Sequence, residues 1–442
     1  MTTPSVAGPA LKAAVLGGSI AGLMASLVLA KRGFTVRLYE PRQHYTRNIQ
    51  WGCRQTFIDY LSSIDAEIAQ DFVDRLASAI TNGYRFLADR SSIYEHGSYI
   101  HTHRPDPSQG KWTERDLSGE KSLAEQIVCL VRAQELEKFL REKVAACNVI
   151  IIDEKSPDVF LDDANMFNLL QDGPESIYDL IVVCEGASSP TRQAVGIKSM
   201  DLSRKVTQVS GEVYLKRHGM IIECLHAIRH ENKLREELLL SLLISTDRHT
   251  NCWVVGDVSS ECLEKIAKLG RRNAEKREVI KSEFRKIAAR TMLSAEQNIA
   301  EAGYQGAVRE VELFTLQAKV SSTAVAGDNL VLAGDAVGVG HWSVGGGMHV
   351  AGVCHPKRLD DLATELLKTT ANRSQALRKY NEGVLADTIA WISRGIKHYY
   401  LSVPGDILTA VFDQLVREVM ENNDMNVPAK IRSRVTSVYF NG

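Results

Sequence analysis

The run Gly17-Gly18-Ser19-Ile20-Ala21-Gly22 is made almost entirely of small residues, and Glu40 follows 23 positions after Gly17. Small residues at this spacing let a backbone turn close around a pyrophosphate, and an acid about twenty residues on reaches ribose hydroxyls. Gly17 makes the turn. Gly18, Ser19 and Ala21 keep the approach to the phosphates open, and Gly22 lets the following helix pack closely on the strand. Ser19 stands where the middle glycine of G-x-G-x-x-G is usual, and serine is small enough to serve. Taken alone, the pattern also suits an ordinary strand–helix–strand unit.

Two later stretches repeat the logic of a strand that ends on a turn and an acid. Residues 178–192 read YDLIVVCEGASSPTR, an apolar strand (Leu180–Cys184) running into Glu185-Gly186 and then Arg192. Residues 328–352 read DNLVLAGDAVGVGHWSVGGGMHVAG, a strand (Leu330–Ala333) ending at Gly334-Asp335, then Gly345-Gly346-Gly347-Met348 at the start of a helix. Acids at strand ends lie where open α/β folds bind ligands.

Those residues need elements to hold them. The 18 residues from Ala13 to Ala30 carry no charge, so a secretion signal and a membrane span both compete with a buried strand and helix. Gly33 and the alternating FTVRLYE (Phe34–Glu40) decide for a strand, a glycine turn, a helix and a second strand. A chain of 442 residues divides into about two domains. With a net charge of −1, nothing draws it to nucleic acid or to an anionic membrane. The eight cysteines include no C-x-x-C, which implies free buried thiols, and no metal site is expected. His101-Thr-His103 reads as a surface loop.

The three stretches, in this order and spacing, resemble the FAD-dependent aromatic hydroxylases, single-component flavoprotein monooxygenases of the para-hydroxybenzoate hydroxylase and kynurenine monooxygenase type. The resemblance covers residues from about 12 to 370. It implies a fold of the α/β class: a discontinuous Rossmann-like FAD-binding domain with an inserted β-sheet substrate domain and a C-terminal helical region. It further implies FAD on the first and last motifs, with NADPH or NADH as electron donor at the middle one. Arg132 in LVRAQELEKFL, with Gln134 beside it, matches the family's helix-starting arginine. Arg42 after Glu40 matches a pair at the adenosine end, and Arg47 falls in the segment near the flavin ring. The activity implied is hydroxylation or epoxidation of an aromatic or other electron-rich small molecule with O2 through a flavin C4a-hydroperoxide, in specialised metabolism. His341 and His349 are the candidate proton donor or base.

The chain also departs from the family. Glu185 stands where Asp is usual, Gly338 and Trp342 fall near the places of the usual His and Pro, and His349 replaces a common Asn. The absence of a Trp-x-Trp-x-Ile-Pro motif argues against a flavin-dependent halogenase. An isoprenoid reductase of the geranylgeranyl reductase type and a non-catalytic flavoprotein scaffold stay open as alternatives.

The expected boundaries are 1–80, 122–196 and 312–370 for the FAD domain, 81–121 and 197–311 for the substrate domain, and 371–442 for the helical region. VSGEVYLKRHGMIIECL, LLLSLLIST and TNCWVVGDV suggest antiparallel strands of the substrate domain, with Tyr214, His226 and Trp253 among them. The charged stretch 260–300 suggests a solvated amphipathic helix pair, and two helices are expected around Ile389–Leu401 and Leu408–Val419. A monomer or homodimer in the cytoplasm, without membrane contact, is expected.

Overall fold

The computed structural model describes residues 10–47, 49–79, 82–86, 127–170, 177–201, 205–214, 220–229, 236–246, 251–270, 273–295, 308–342, 346–368 and 370–399. His101 and His103, Gly345 and the expected helix Leu408–Val419 lie outside the described residues.

The uncharged run becomes strand β1 (Lys12–Leu16) and helix α1 (Ile20–Lys31), followed by strand β2 (Thr35–Tyr39). Every residue from Ile20 to Leu29 is buried. One side of α1 lies on the sheet, and the helices Ala133–Ala146 and His355–Leu366 pack on it as well. A helix covered on all sides has no polar face, which is why its sequence imitates a membrane span. No helix among the described residues is long and apolar enough to cross a membrane.

Around β1 runs a six-stranded sheet in the order Val325–Ala326, Leu330–Leu332, Leu180–Val183, Lys12–Leu16, Thr35–Tyr39, Ile150–Ile152. All its pairings are parallel except that of Val325–Ala326. The register decides where the motifs meet. Leu16 stands opposite Tyr39 and Val183, and Val183 opposite Leu332, so the chain leaves all these strands at one edge. Gly17, Glu40, Glu185 and Asp335 therefore share the carboxyl edge of the sheet, although they come from four parts of the chain.

A second six-stranded sheet has the order Val308–Leu316, Val206–Tyr214, Asn251–Asp257, Glu236–Ser245, Met220–Arg229, Asn82–Phe86. Its strands pair antiparallel apart from the last two. Alternation along Asn251–Asp257 splits its duties between two faces. Cys252 and Val254 join Phe284, Ile287 and Ala288 of the helix Asn273–Ala295 in a closed core. Trp253 and Val255 turn the other way, toward Leu130 and Trp342. The charged stretch 260–300 is thus a helix pair, Ser260–Lys268 and Asn273–Ala295, whose second member covers one face of the sheet. The helix expected around Ile389 begins earlier and spans Arg373–Tyr399. The described cysteines are free.

Candidate active site

A cavity of about 660 Å³ runs from the carboxyl edge of the parallel sheet to the open face of the antiparallel sheet. Gly17, Ser19, Ala21, Glu40, Arg42 and Arg47 line its first part. Glu185, Gly186, Asp335, Gly347 and Met348 line it further on. Gly18, Gly22, Gly334 and Gly346 stand directly behind this wall, next in sequence to lining residues. Gly346 could not carry a side chain, because a Cβ there would lie 1.7 Å from Cδ1 of Trp391.

At the start of α1 the Ser19 side chain makes no capping bond. The first helical N–H groups therefore remain open toward the cavity, as an anionic ligand needs. Glu40 is 1% exposed and tightly held. Burial raises its carboxyl pKa, but the Arg42 guanidinium together with the backbone N–H groups of Arg42 and Gly18 outweighs burial and holds it below the usual range. Asp335 is open to the cavity yet lies deep in the molecule, and desolvation raises its pKa while Arg47 opposes the rise.

Glu185 explains the departure from aspartate. Its Oε2 accepts from Ser189 Oγ at 2.7 Å and Thr191 N at 3.0 Å, and its Oε1 accepts from Thr191 Oγ1 at 3.1 Å. Ser189 caps the helix Pro190–Ala194, and the Glu185 carboxylate takes a further N–H of its first turn, a contact the additional methylene helps it reach. Arg192 then fastens two cavity loops together. Its Nη1 donates to Ala336 O at 2.9 Å and its Nη2 to Ala187 O at 2.7 Å. Burial lowers its pKa from the ordinary arginine value. A lysine carries its donors on one nitrogen and lacks the planar fork that meets the two carbonyls from separate nitrogens. We expect Arg192→Lys to lose about 1–2 kcal/mol of stability in urea unfolding and to bind the cofactor more weakly. Unchanged urea midpoint and affinity would refute this role.

Arg132 is half-buried and pairs with Glu212 of the second sheet at 3.2 Å, while its buried Nε has no partner among the described residues. It ties the end of the strand Ile127–Arg132, part of a small three-stranded sheet with Gln50–Arg54 and Ser78–Ala79, to the antiparallel sheet, and it is not in the cavity lining. His341 and His349 do not line the cavity either. His341 Nε2 is 3.1 Å from Gln208 Nε2, and its ring lies 4.9 Å from that of Trp342. The Gln208 amide nitrogen donates, so His341 Nε2 accepts. Burial pushes the His341 pKa down to about 3, so the ring is neutral at neutral pH. Gln208 also donates to Asp257 at 2.8 Å and accepts from Trp342 Nε1 at 2.6 Å. His349 Nδ1 is 3.4 Å from Thr56 Oγ1.

The far end of the cavity is a chamber of Leu242, Ile244, Trp253, Phe314 and Trp342, while Trp391 lines the cavity beside Gly347. Of the substrate-sheet residues named from sequence, Trp253 faces it, Tyr214 is exposed, and the side chain of His226 lies outside the described residues. Sequence reasoning missed Glu137, His355 and Trp391. Glu137 hides beside the apolar stripe Leu136–Leu140–Val144 of its helix, and nothing local marks it as buried. Among the described residues no cluster of His, Cys, Asp and Glu could hold a metal ion.

A turn of small residues, a helix start without a side-chain cap, acids at strand ends and the Glu137 carboxylate, which has no hydrogen-bond partner among the described residues, together suit a dinucleotide. A family model described as "FAD binding domain" matches residues 10–352, and the chain belongs to that family. FAD is therefore its cofactor, and the class is that of the FAD-dependent aromatic hydroxylases. No curated protein matches the chain. Among solved structures, the chain is similar to the flavin-dependent halogenase CmlS, at 16% identity and TM-score 0.61 over 87% of this chain, but it spans only 63% of that one. It is similar to 2-methyl-3-hydroxypyridine-5-carboxylic acid oxygenase at 13% identity and TM-score 0.59, covering 96% of both chains. It is also similar to HpxO of Klebsiella pneumoniae, complexed with FAD and uric acid, at 16% identity and TM-score 0.59, covering 97% of this chain and 96% of that one. At these identities the likeness is one of fold.

Proposed function

We propose that the chain is a monooxygenase that uses NADPH or NADH and O2 to hydroxylate or epoxidise an aromatic, heteroaromatic or other electron-rich small molecule in specialised biosynthesis. The observation that carries this reading is one continuous cavity, polar and glycine-walled at the sheet edge and apolar under the second sheet. FAD, when bound, supplies the electron transfer and oxygen activation.

Gly17, Ser19, Ala21 and Arg47 hold the phosphates, and Glu185 and Arg192 keep the middle turn in shape. Gly334, Asp335 and the segment Gly345–Met348 support the rest of the cofactor. Trp253, Phe314 and Trp342 exclude water from the reacting end, which protects a reactive oxygen species from wasteful decay. His341 and His349 act as positioning residues: His341, neutral, fixes Gln208, which holds Trp342 upright, and His349 anchors the loop after Met348 on Thr56. Arg132 joins the cofactor half to the substrate half through Glu212. The division of labour follows the sequence boundaries, with 1–80, 122–196 and 312–370 for the cofactor, 81–121 and 197–311 for the substrate, and 371–442 as a helical cap. A cytoplasmic monomer or homodimer completes the reading.

The test is anaerobic titration of the yellow protein with NADPH and, separately, NADH, followed by admission of air. The expected result is bleaching by one nicotinamide, reoxidation in air, and oxygen uptake that an aromatic substrate accelerates. A flavin that both nicotinamides leave oxidised, with and without a panel of aromatic compounds, would overturn the reading in favour of a reductase-fed enzyme or a scaffold.

A further inference from the structure

We infer that Glu137, and not Glu40, is the carboxylate that takes the sugar hydroxyls at the adenosine end of the dinucleotide. The inference deepens the flavin reading above and rests on it.

Glu40 stands where an acid that binds ribose belongs, at the end of β2. Its oxygens are already engaged. Oε1 accepts from Arg42 N and from Arg42 Nε, both at 2.8 Å. Oε2 accepts from Arg42 Nη2 and from Gly18 N, both at 2.7 Å. An ionised carboxylate offers about four lone-pair positions. All four are taken by the chain itself, so a hydroxyl can bond to Glu40 only if Arg42 or the phosphate turn lets go.

Glu137 is the opposite case. It lines the same cavity and is 1% exposed, and neither carboxylate oxygen has a hydrogen-bond partner among the described residues. It lies on the helix Ala133–Ala146, one turn before Arg141 and on the same face. Arg141 Nη1 donates to Arg42 O at 3.4 Å, so this face is turned to the end of β2. A buried acceptor without a donor is costly, and native structures rarely keep one unless water, an ion or a ligand satisfies it or it has a catalytic task; here the group opens on a cavity shaped for a dinucleotide, which can supply the donor. A phosphate cannot do so, since it is itself an anion and an acceptor. A sugar hydroxyl can. Burial raises the Glu137 pKa, while Arg47 and Arg42 oppose the rise and Glu40 adds to it. Each hydroxyl donated to the carboxylate would favour its charged form.

Glu40 then has a different task. It ties the Arg42 guanidinium to the N–H of Gly18 and so shapes the turn, while Glu137 reads the sugar.

The test uses the full chain stripped of flavin. FAD and an FAD analogue whose adenosine ribose lacks both hydroxyls are titrated by quenching of flavin fluorescence into the wild type, Glu137→Ala and Glu137→Gln. A hydrogen bond to a charged group predicts that the wild type prefers FAD by about tenfold or more. That preference should fall below about twofold in Glu137→Ala and to about threefold in Glu137→Gln, whose carbonyl keeps one acceptor. A preference that survives in both variants returns the hydroxyls to Glu40 and overturns the proposal. So does a wild type that binds both flavins equally, the result expected if Glu137 meets the adenine amino group. If Glu137→Ala does not fold, a preference of about fivefold or more in Glu137→Gln overturns it. A folded wild type that binds neither compound overturns the flavin reading itself, a distinct outcome.

Discussion

Replacing Gly22 with alanine leaves the purified protein colourless and raises its Kd for FAD by about 100-fold or more. A Cβ at Gly22 would lie 1.8 Å from the carbonyl oxygen of Gly17 and 2.9 Å from its carbonyl carbon. These are backbone atoms of the phosphate turn and have little room to retreat. Gly17 N donates to Tyr39 O at 2.9 Å, and a Cβ on Gly17 would itself meet Cys184 O at 2.7 Å. The turn is thus held between β2 and the strand Leu180–Val183, and it can give way only by disturbing both. Overpacking in such a place costs about 1–3 kcal/mol or more, and the upper figure corresponds to about 100-fold in binding. Flavin absorbance of the purified variant and an FAD titration check this. A variant that retains a full complement of FAD at near wild-type affinity would show that the Gly17–Gly22 turn is not the cofactor cradle.

Substituting His355 with leucine costs about 3 kcal/mol at neutral pH and makes the protein less sensitive to acid. His355 has no exposed surface. Its Nδ1 accepts from Gly334 N at 2.9 Å, and its Nε2 is 3.0 Å from Thr388 Oγ1. The Gly334 N–H can only donate, so the ring proton sits on Nε2 and is given to Thr388. Thr388 passes its own proton to Val384 O at 2.8 Å. This chain fastens the Gly334-Asp335 turn to the helix Arg373–Tyr399. Leucine leaves the Gly334 N–H buried without an acceptor, at about 1–3 kcal/mol, and removes the donor to Thr388.

The pH dependence has a definite sign. Burial lowers the His355 pKa from 6.5 to about 4. The unfolded chain therefore takes up the proton first as the pH falls. The stability held by the neutral ring is complete above about pH 6.5 and declines by about 3 kcal/mol as the pH falls to 4. His341, lowered to about 3, adds a decline of its own over the same range and beyond. Urea midpoints measured at pH 7 and pH 5 should differ less in His355→Leu than in the wild type. Equal pH sensitivity in the two proteins would refute the tie.

Much of the cofactor end was legible because it is local. Gly17 and Gly22 sit within one turn of backbone, and Glu40 follows after one helix and one strand, so their spacing carries their geometry. The uncharged strands Ala13–Leu16 and Leu180–Val183 announce a sheet buried on both faces by the same rule. Other parts were hidden. Arg132 matches a flavin-contacting arginine in sequence, yet it is paired with Glu212, 80 positions away and on the antiparallel sheet. His341 and His349 sit in the glycine-rich segment, but the segment turns both side chains away from the cavity lining. Trp391 fills the space that Gly346 leaves open, a relation between residues 45 positions apart that neither side chain announces.

By itself, the order of residues determined the strand–turn–helix–strand opening, the three acids at strand ends and the α/β class, since these follow from short-range sterics and from the burial of uncharged segments. The tertiary structure alone decided which groups are already satisfied and which remain free. Glu40 and Glu137 are chemically the same side chain. One is saturated by Arg42 and Gly18 and the other is left open to a ligand, because hydrogen-bond partners are assigned by three-dimensional proximity, which the packing of distant elements creates.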